Sequence, residues 1–200
     1  PTAPPANGGS SYTWTPGNVL TNTILVSPTV NTTFSVAASN GTCTSNSSLL
    51  VSVVPLPTIN ATALPTAICR GASATMSATG AGSYTWLPMG STGSSAVVSP
   101  TVNTTYTVIG NSGGCTSSRT VMVTVNPLPT ITPVANPASV CPGFCSTLSA
   151  TGANTYTFSG GNVVCPASTT VYSVTGTSTA GCVGASAGSE LVTVNPAPTI

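Results

Sequence analysis

Ser99-Pro100-Thr101-Val102-Asn103-Thr104-Thr105-Tyr106-Thr107-Val108 ends in a strict alternation of hydroxyl and apolar side chains. A period of two places every second residue on the same face of an extended backbone, so Thr105 to Val108 predicts a half-buried β-strand. The same wording stands earlier in the chain, as Ser27-Pro28-Thr29-Val30-Asn31-Thr32-Thr33-Phe34, with one aromatic exchanged. Tyr12-Thr13-Trp14 returns as Tyr84-Thr85-Trp86 and, more loosely, as Tyr156-Thr157-Phe158, at offsets of 84 − 12 = 72 and 156 − 84 = 72. A third signature, valine followed by two spaced prolines and Thr-Ile, runs from Val53 to Ile59, Val125 to Ile131 and Val194 to Ile200. Self-similarity at a fixed period is the mark of a tandem array.

Within the second unit, alternation and turn residues predict strands near Thr58 to Ala63, Ala74 to Ala78, Ser83 to Leu87, Ala96 to Ser99, Thr104 to Ile109 and Arg119 to Val125. Six or seven short strands with Gly and Pro punctuation every 8 to 12 residues or so are the pattern of a small sandwich. No segment has helical period. The expected fold is therefore all-β, a series of immunoglobulin-like sandwiches divided as 1–57, 58–129 and 130–200, the first lacking its opening strands. The prolines at Pro55 to Pro57 and Pro127 to Pro129 fix φ and withhold donors, which predicts an extended, semi-rigid array.

Composition narrows the function. The only charged side chains are Arg70, Arg119 and Glu190, and the formal net charge is +1. An ordinary surface is about a quarter charged; here Thr, Ser, Asn, Gly and Ala must meet the water. With no basic stripe, nucleic acid is not an expected partner. With little charge to hold copies apart, self-association is. The longest apolar run, Leu49 to Val54, is far short of the roughly 20 residues of a spanning helix, so membrane insertion is not expected. A chain starting at Pro1 reads as a processed product or a piece of something longer.

The set of Tyr-Thr-Trp strand, Ser-Pro-Thr-Val-Asn-Thr-Thr-Tyr-Thr-Val strand, Gly-Cys-Thr turn and Val-Thr-Val-Asn-Pro-Leu-Pro-Thr-Ile exit resembles the Ig-like or PKD-like repeats of large secreted and cell-surface proteins of Bacteroidota. The resemblance covers nearly the whole chain. It implies adhesin-like cargo of the type 9 secretion system, although the carboxy-terminal sorting domain typical of such cargo is not in this sequence.

Seven cysteines in so neutral a chain fit disulfides, and with them an oxidising, extracytoplasmic setting. Cys69 and Cys141 open units two and three, while Cys43, Cys115 and Cys182 fall in the late turn of each unit. One frame pairs Cys69 with Cys115 and Cys141 with Cys182, stapling each unit to itself. The rival frame pairs Cys43 with Cys69 and Cys115 with Cys141 and ties neighbouring units together. In both, Cys145 bridges to Cys165. The first frame leaves Cys43 unpaired or intermolecular, because its partner would lie at 69 − 72 = −3, ahead of Pro1. The segment of unit one that aligns with Ala74 to Ala78 is Thr2 to Ala6, whose prolines cannot complete a ladder. Either the chain belongs to a longer array or another subunit fills the gap by strand addition.

No catalytic residue emerges. Glu190 is the only side-chain carboxylate and there is no histidine, so neither paired carboxylates nor a Ser-His-Asp triad can be assembled. No metal site and no cofactor are expected, since the ligand types are missing apart from the cysteines. The aromatic residues Tyr12, Trp14, Tyr84, Trp86, Tyr106, Tyr156, Phe158 and Tyr172 fall on repeated positions, which predicts a core and not a sugar platform. Asn31, Asn40, Asn46, Asn60 and Asn103 head Asn-X-Ser/Thr sequons. The expected function is that of a non-enzymatic structural or adhesive extracellular protein, a subunit or segment of a cell-surface fibre or filament that associates with itself. The alternative is a spacer or carbohydrate-binding module of a larger secreted enzyme, with cell-surface glycans as partners.

Overall fold

The computed structural model describes residues 9–197. All regular structure among them is β. Repeat 1 contributes β1 (Ser11–Thr15), β2 (Thr32–Ser39) and β3 (Thr44–Val51), which form one antiparallel sheet in the order β1-β2-β3. Repeat 2 contributes β4 (Asn60–Leu64), β5 (Ala67–Cys69), β6 (Ala74–Thr79), β7 (Ser83–Leu87), β8 (Ser91–Thr92), β9 (Ser95–Val98), β10 (Thr104–Ser112) and β11 (Cys115–Asn126). Repeat 3 contributes β12 (Thr132–Asn136), β13 (Ser139–Val140), β14 (Ser146–Thr151), β15 (Thr155–Phe158), β16 (Val163–Val164), β17 (Thr170–Thr177) and β18 (Val183–Val194).

Repeat 2 is a two-sheet immunoglobulin-like sandwich, β4-β6-β9 facing β5-β11-β10-β7-β8. Repeat 3 repeats it as β12-β14-β16 and β13-β18-β17-β15. Two pairings among the described residues are parallel: β5 runs parallel to β11, and β13 runs parallel to β18. The short opening strand of each sandwich thus lies beside its own last strand, with Ile68 opposite Val125 and Val140 opposite Val194.

The alternation seen in the sequence is the division between core and solvent. In β6, Ala74, Met76 and Ala78 are buried while Thr75, Ser77 and Thr79 face water. Met76, Trp86, Val108 and Val123 are wholly buried at the centre of repeat 2. Full burial of a side chain of this size stabilises by roughly 1.5–3 kcal/mol. The hydroxyl residues that alternate with them are exposed, as in β6, or half-buried, as Thr107 and Thr124 are, and this is how a sheet with almost no charge meets solvent.

Three details recur from repeat to repeat. Tyr84 Oη donates to the Ala81 carbonyl (2.9 Å) and accepts from the Ala81 amide (2.7 Å); Tyr156 treats Ala153 in the same way and Tyr12 treats Gly9. Asn103 Oδ1 accepts the Val125 amide at 2.7 Å, Asn31 accepts Val53 at 2.7 Å, and Thr169 Oγ1 takes over the task for Val194 at 3.0 Å. Gly80 and Gly152 have φ of +97° and +99°, and a Cβ on either would overlap the carbonyl oxygen of Thr58 or Thr130. Only glycine satisfies both conditions.

The Thr-Ile that ends each proline junction belongs to the sandwich that follows. Ile59 and Ile131 are buried, and each packs its Cδ1 where a side chain on Gly110 or Gly176 would otherwise stand. The third copy of this motif, at Pro198 to Ile200, lies outside the described residues.

Repeat 1 differs. Its sheet corresponds to β7, β10 and β11 of repeat 2, and its core is Trp14, Ile24, Phe34 and Val36 with Tyr12, Val26 and Val51 packed against them. Ile24 and Val26 align with Ala96 and Val98 of β9 but belong to no strand. Their partner strand would fall on Thr2 to Ala6, and that segment lies outside the described residues.

By compactness the chain divides into two units, Pro1–Leu56 with Gly113–Cys115, and Pro57–Ser112 with Thr116–Ile200. Repeats 2 and 3 therefore share a unit, and the disulfide between them is internal to it.

Candidate functional site

The cysteines are where this structure departs from the sequence-based expectation. Cys69 is bonded to Cys182, with Cα atoms 5.5 Å apart and a sequence separation of 113, and Cys145 is bonded to Cys165 at a separation of 20. Cys43, Cys115 and Cys141 are free thiols. The expected pairs Cys69–Cys115 and Cys141–Cys182 are not formed, and the geometry of the last strand says why. Cys69 is in register with Asn126 at the end of β11, whereas Cys115 begins β11. Eleven residues of strand, 126 − 115, separate the two levels, about 36 Å at ~3.3 Å per residue. A disulfide needs Cα atoms within about 7 Å. Cys141 and Cys182 are likewise at opposite ends of β18, one just past Val140, which is opposite Val194, the other just before Val183. The rival frame fails as well, since Cys69 is taken by Cys182 and neither Cys43–Cys69 nor Cys115–Cys141 exists.

The bridge that does form joins the opening strand of repeat 2 to the β17–β18 hairpin of repeat 3. Cys182 is wholly buried there. Its turn is closed by Ser178, whose amide donates to the Cys182 carbonyl (2.9 Å) and whose Oγ accepts the Cys182 amide (3.2 Å). The β2–β3 hairpin of repeat 1 is built alike: the Asn40 amide donates to the Cys43 carbonyl (3.2 Å), and Asn40 Oδ1 accepts the Cys43 amide (2.8 Å). Cys43 itself is exposed, on the wall of a cleft of about 320 Å³ shared with Gly9, Val36 and Asn46. Cys141 is also exposed, at a smaller cleft of about 240 Å³ with Val140, Phe144 and Cys145.

The aromatic positions are structural. Trp14, Trp86 and Tyr106 are buried, and the indole Nε1 groups donate to the carbonyls of Thr21 (2.9 Å) and Gly93 (3.1 Å). Tyr12, Tyr84 and Tyr156 are half-buried with their hydroxyls engaged in the turns described above; Phe158 and Tyr172 pack against the core of repeat 3. Among the described residues, Phe144 is the aromatic ring that stands exposed. Asn31 and Asn103, two of the sequon asparagines, spend their side-chain oxygens on the last strand of their own repeats.

Glu190 sits in β18 opposite Tyr172 and its Oε1 accepts the Ala135 amide at 3.3 Å, a bond between the two sheets of repeat 3. Arg70 lines a shallow depression with Asn103 and Val125, remote in sequence from the carboxylate, and Arg119 lies exposed on β11. Among the described residues no group of three or more His, Cys, Asp or Glu side chains comes together, and no helix is long and apolar enough to cross a membrane.

No protein-family model matches the chain, and no curated protein matches its sequence. Among solved structures the chain is similar to an Antarctic bacterium's Ca2+-stabilized adhesin described as helping it reach out and bind ice, at 15% identity over 98% of this chain and 68% of that one, TM-score 0.42. It is similar to the I-band fragment I67–I69 of titin at 14% identity over 94% and 88%, TM-score 0.41. It is also similar to mouse protocadherin-24 EC1–3, at 15% identity over 98% and 93%, TM-score 0.37.

Proposed function

We propose that this chain is a structural and adhesive extracellular repeat protein, a subunit or segment of a cell-surface fibre that associates with itself. The observation that carries this reading is the Cys69–Cys182 bond, which spends a disulfide on fastening one sandwich to the next, while repeat 2 holds itself by its core and repeat 3 by its core and the Cys145–Cys165 bond. Two disulfides favour an oxidising compartment outside the cytoplasm. The near absence of charge favours association over repulsion, and a single carboxylate committed to a backbone amide supplies no acid–base pair for an enzyme. The repeat signature is our basis for assigning the chain to the secreted or surface proteins of Bacteroidota, as cargo of their type 9 secretion system. The reading as a sugar-binding module loses its support with the burial of Trp14, Trp86 and Tyr106, since a stacking platform needs open ring faces.

Negative-stain electron microscopy of the purified chain, with and without reductant, tests the proposal. Regular filaments with an axial repeat of a few sandwich lengths are expected in oxidising buffer. Dispersed beaded rods under both conditions would make the chain a stalk or spacer and refute self-assembly.

A further inference from the structure

Two cysteine positions recur along the chain. The opening-strand position is held by Cys69 in repeat 2 and Cys141 in repeat 3; the hairpin position is held by Cys43, Cys115 and Cys182. The inter-repeat disulfide joins the opening position of one repeat to the hairpin position of the next. Both halves of that joint exist, unbonded, elsewhere in the molecule. Cys141 follows Val140, whose carbonyl accepts the Asn195 amide at 2.9 Å, so it stands beside Asn195 at the end of β18 as Cys69 stands beside Asn126 at the end of β11. Cys43 is presented by a hairpin closed by the same two bonds to the cysteine backbone as that of Cys182, in a turn one residue shorter. Both are exposed, whereas Cys182, whose joint is made, is wholly buried.

A second observation shows that the hairpin position addresses the end of the preceding repeat even where no bond is formed. In the first compact unit Cys115 Sγ lies 3.6 Å from the Val54 carbonyl oxygen. Val54 precedes Asn126 by 126 − 54 = 72 residues and so corresponds to the residue that Cys69 faces across the parallel ladder. The hairpin thiol is thus seated at the place where an opening-strand cysteine would meet it.

We propose that Cys141 of one copy and Cys43 of a second copy form a head-to-tail disulfide equivalent to Cys69–Cys182, so that repeat 3 of one copy continues into repeat 1 of the next. The inference rests on the self-association proposed above and names its chemistry. A low-molecular-weight disulfide such as oxidised glutathione supplies the oxidation. The Cys141 thiolate attacks it, forming a mixed disulfide and releasing one glutathione thiol. The Cys43 thiolate of the second copy then attacks the Cys141 sulfur, forming the inter-chain bond and releasing the second. Two protein thiols are oxidised and one glutathione disulfide is reduced to two thiols. Cys115 takes no part.

The test uses the full 200-residue chain, incubated with oxidised glutathione and resolved by non-reducing electrophoresis, peptide mapping and light scattering. A ladder of multimers is expected, with Cys141–Cys43 as the inter-chain peptide, and Cys115→Ser should leave it unchanged. Cys43→Ser and Cys141→Ser should each remain monomeric alone. Mixed, they should yield a dimer and stop there, because only one productive pair of thiols remains. A ladder that persists in Cys141→Ser, or symmetric Cys43–Cys43 dimers as the main product, overturns the proposal. Non-covalent multimers by light scattering without the Cys141–Cys43 peptide overturn this joint while leaving self-association intact; a strictly monomeric chain overturns both. In material purified from its native source, a Cys141 bonded to a peptide outside these residues would assign the partner to a further repeat of a longer polypeptide and overturn the second copy.

Discussion

Replacing both Cys69 and Cys182 by alanine removes the inter-repeat bond without leaving an orphan thiol. The bond closes a loop of 113 residues, for which the chain-entropy relation gives a stabilisation of about 4.8 kcal/mol, against about 3.3 kcal/mol for the 20-residue loop of Cys145–Cys165. Losing the packing of the wholly buried Cys182 sulfur adds roughly 1 kcal/mol. The entropy of so long a loop is released in full only when repeats 2 and 3 unfold together, so the bond should also couple their transitions. Urea unfolding can be followed by Trp86 fluorescence in a Trp14→Phe background, which reports on repeat 2, alongside hydrogen exchange resolved by mass spectrometry, which reports on each repeat separately. The parent should show coincident transitions for repeats 2 and 3. The double variant should lose roughly 6 kcal/mol and separate into two transitions. A loss below about 1.5 kcal/mol, with transitions still coincident, would refute the reasoning, for it would mean that non-covalent packing at the junction already does what is ascribed here to the bond.

Gly80→Ala should cost about 3 kcal/mol or more, combining a left-handed backbone with overlap on the Thr58 carbonyl, while Gly71→Ala, whose φ is +91° with nothing near its missing Cβ, should cost only about 1–2 kcal/mol; equal losses in urea melts would contradict the packing argument. Asn103→Ala should lose about 1–2 kcal/mol through the orphaned Val125 amide, and Asn103→Asp should recover most of it, because an acceptor oxygen is restored. With one side-chain carboxylate and no histidine, the chain can exchange few protons on unfolding, so its melting temperature should stay within a few degrees from pH 3 to pH 7 and from low salt to 0.5 M NaCl; a steep acid transition by calorimetry would argue against this.

Strands that carry a face of the core were legible in the sequence, because burial and alternation are the same fact. The expected Ser83 to Leu87 strand is β7, and those near Ala74, Ala96 and Thr104 are β6, β9 and β10 within a residue or a few. The short strands β5, β8, β13 and β16 have two or three residues each, too few for a period to show. The cysteine pairing depends on β5, because only its parallel placement beside β11 fixes which end of the sandwich Cys69 occupies, and the spacing of cysteines along the chain does not distinguish the two ends. The repeated asparagine of Ser-Pro-Thr-Val-Asn was visible as a motif, yet its partner, the Val125 amide 22 residues on, is fixed only by the fold. Trp86 and Tyr106 were readable as core from repetition alone, while the tie of Glu190 to Ala135 spans 55 residues and two sheets and leaves no local trace.

The parallel placement of β5 beside β11, with Cys69 at its end, bears on how the molecule would carry tension. A pull applied at residues 57 and 197 runs along the backbone to Cys69, crosses the disulfide to Cys182 and leaves along β18, so the stretch between the two cysteines is bypassed. Its 113 Cα-to-Cα steps, about 400 Å of contour length at ~3.5 Å each, stay out of the load path for as long as the bond lasts. What can lengthen is confined to the short segments on either side. Under strain such a tether would behave as a stiff link with little slack, and reduction of one bond would turn it into a far more extensible one.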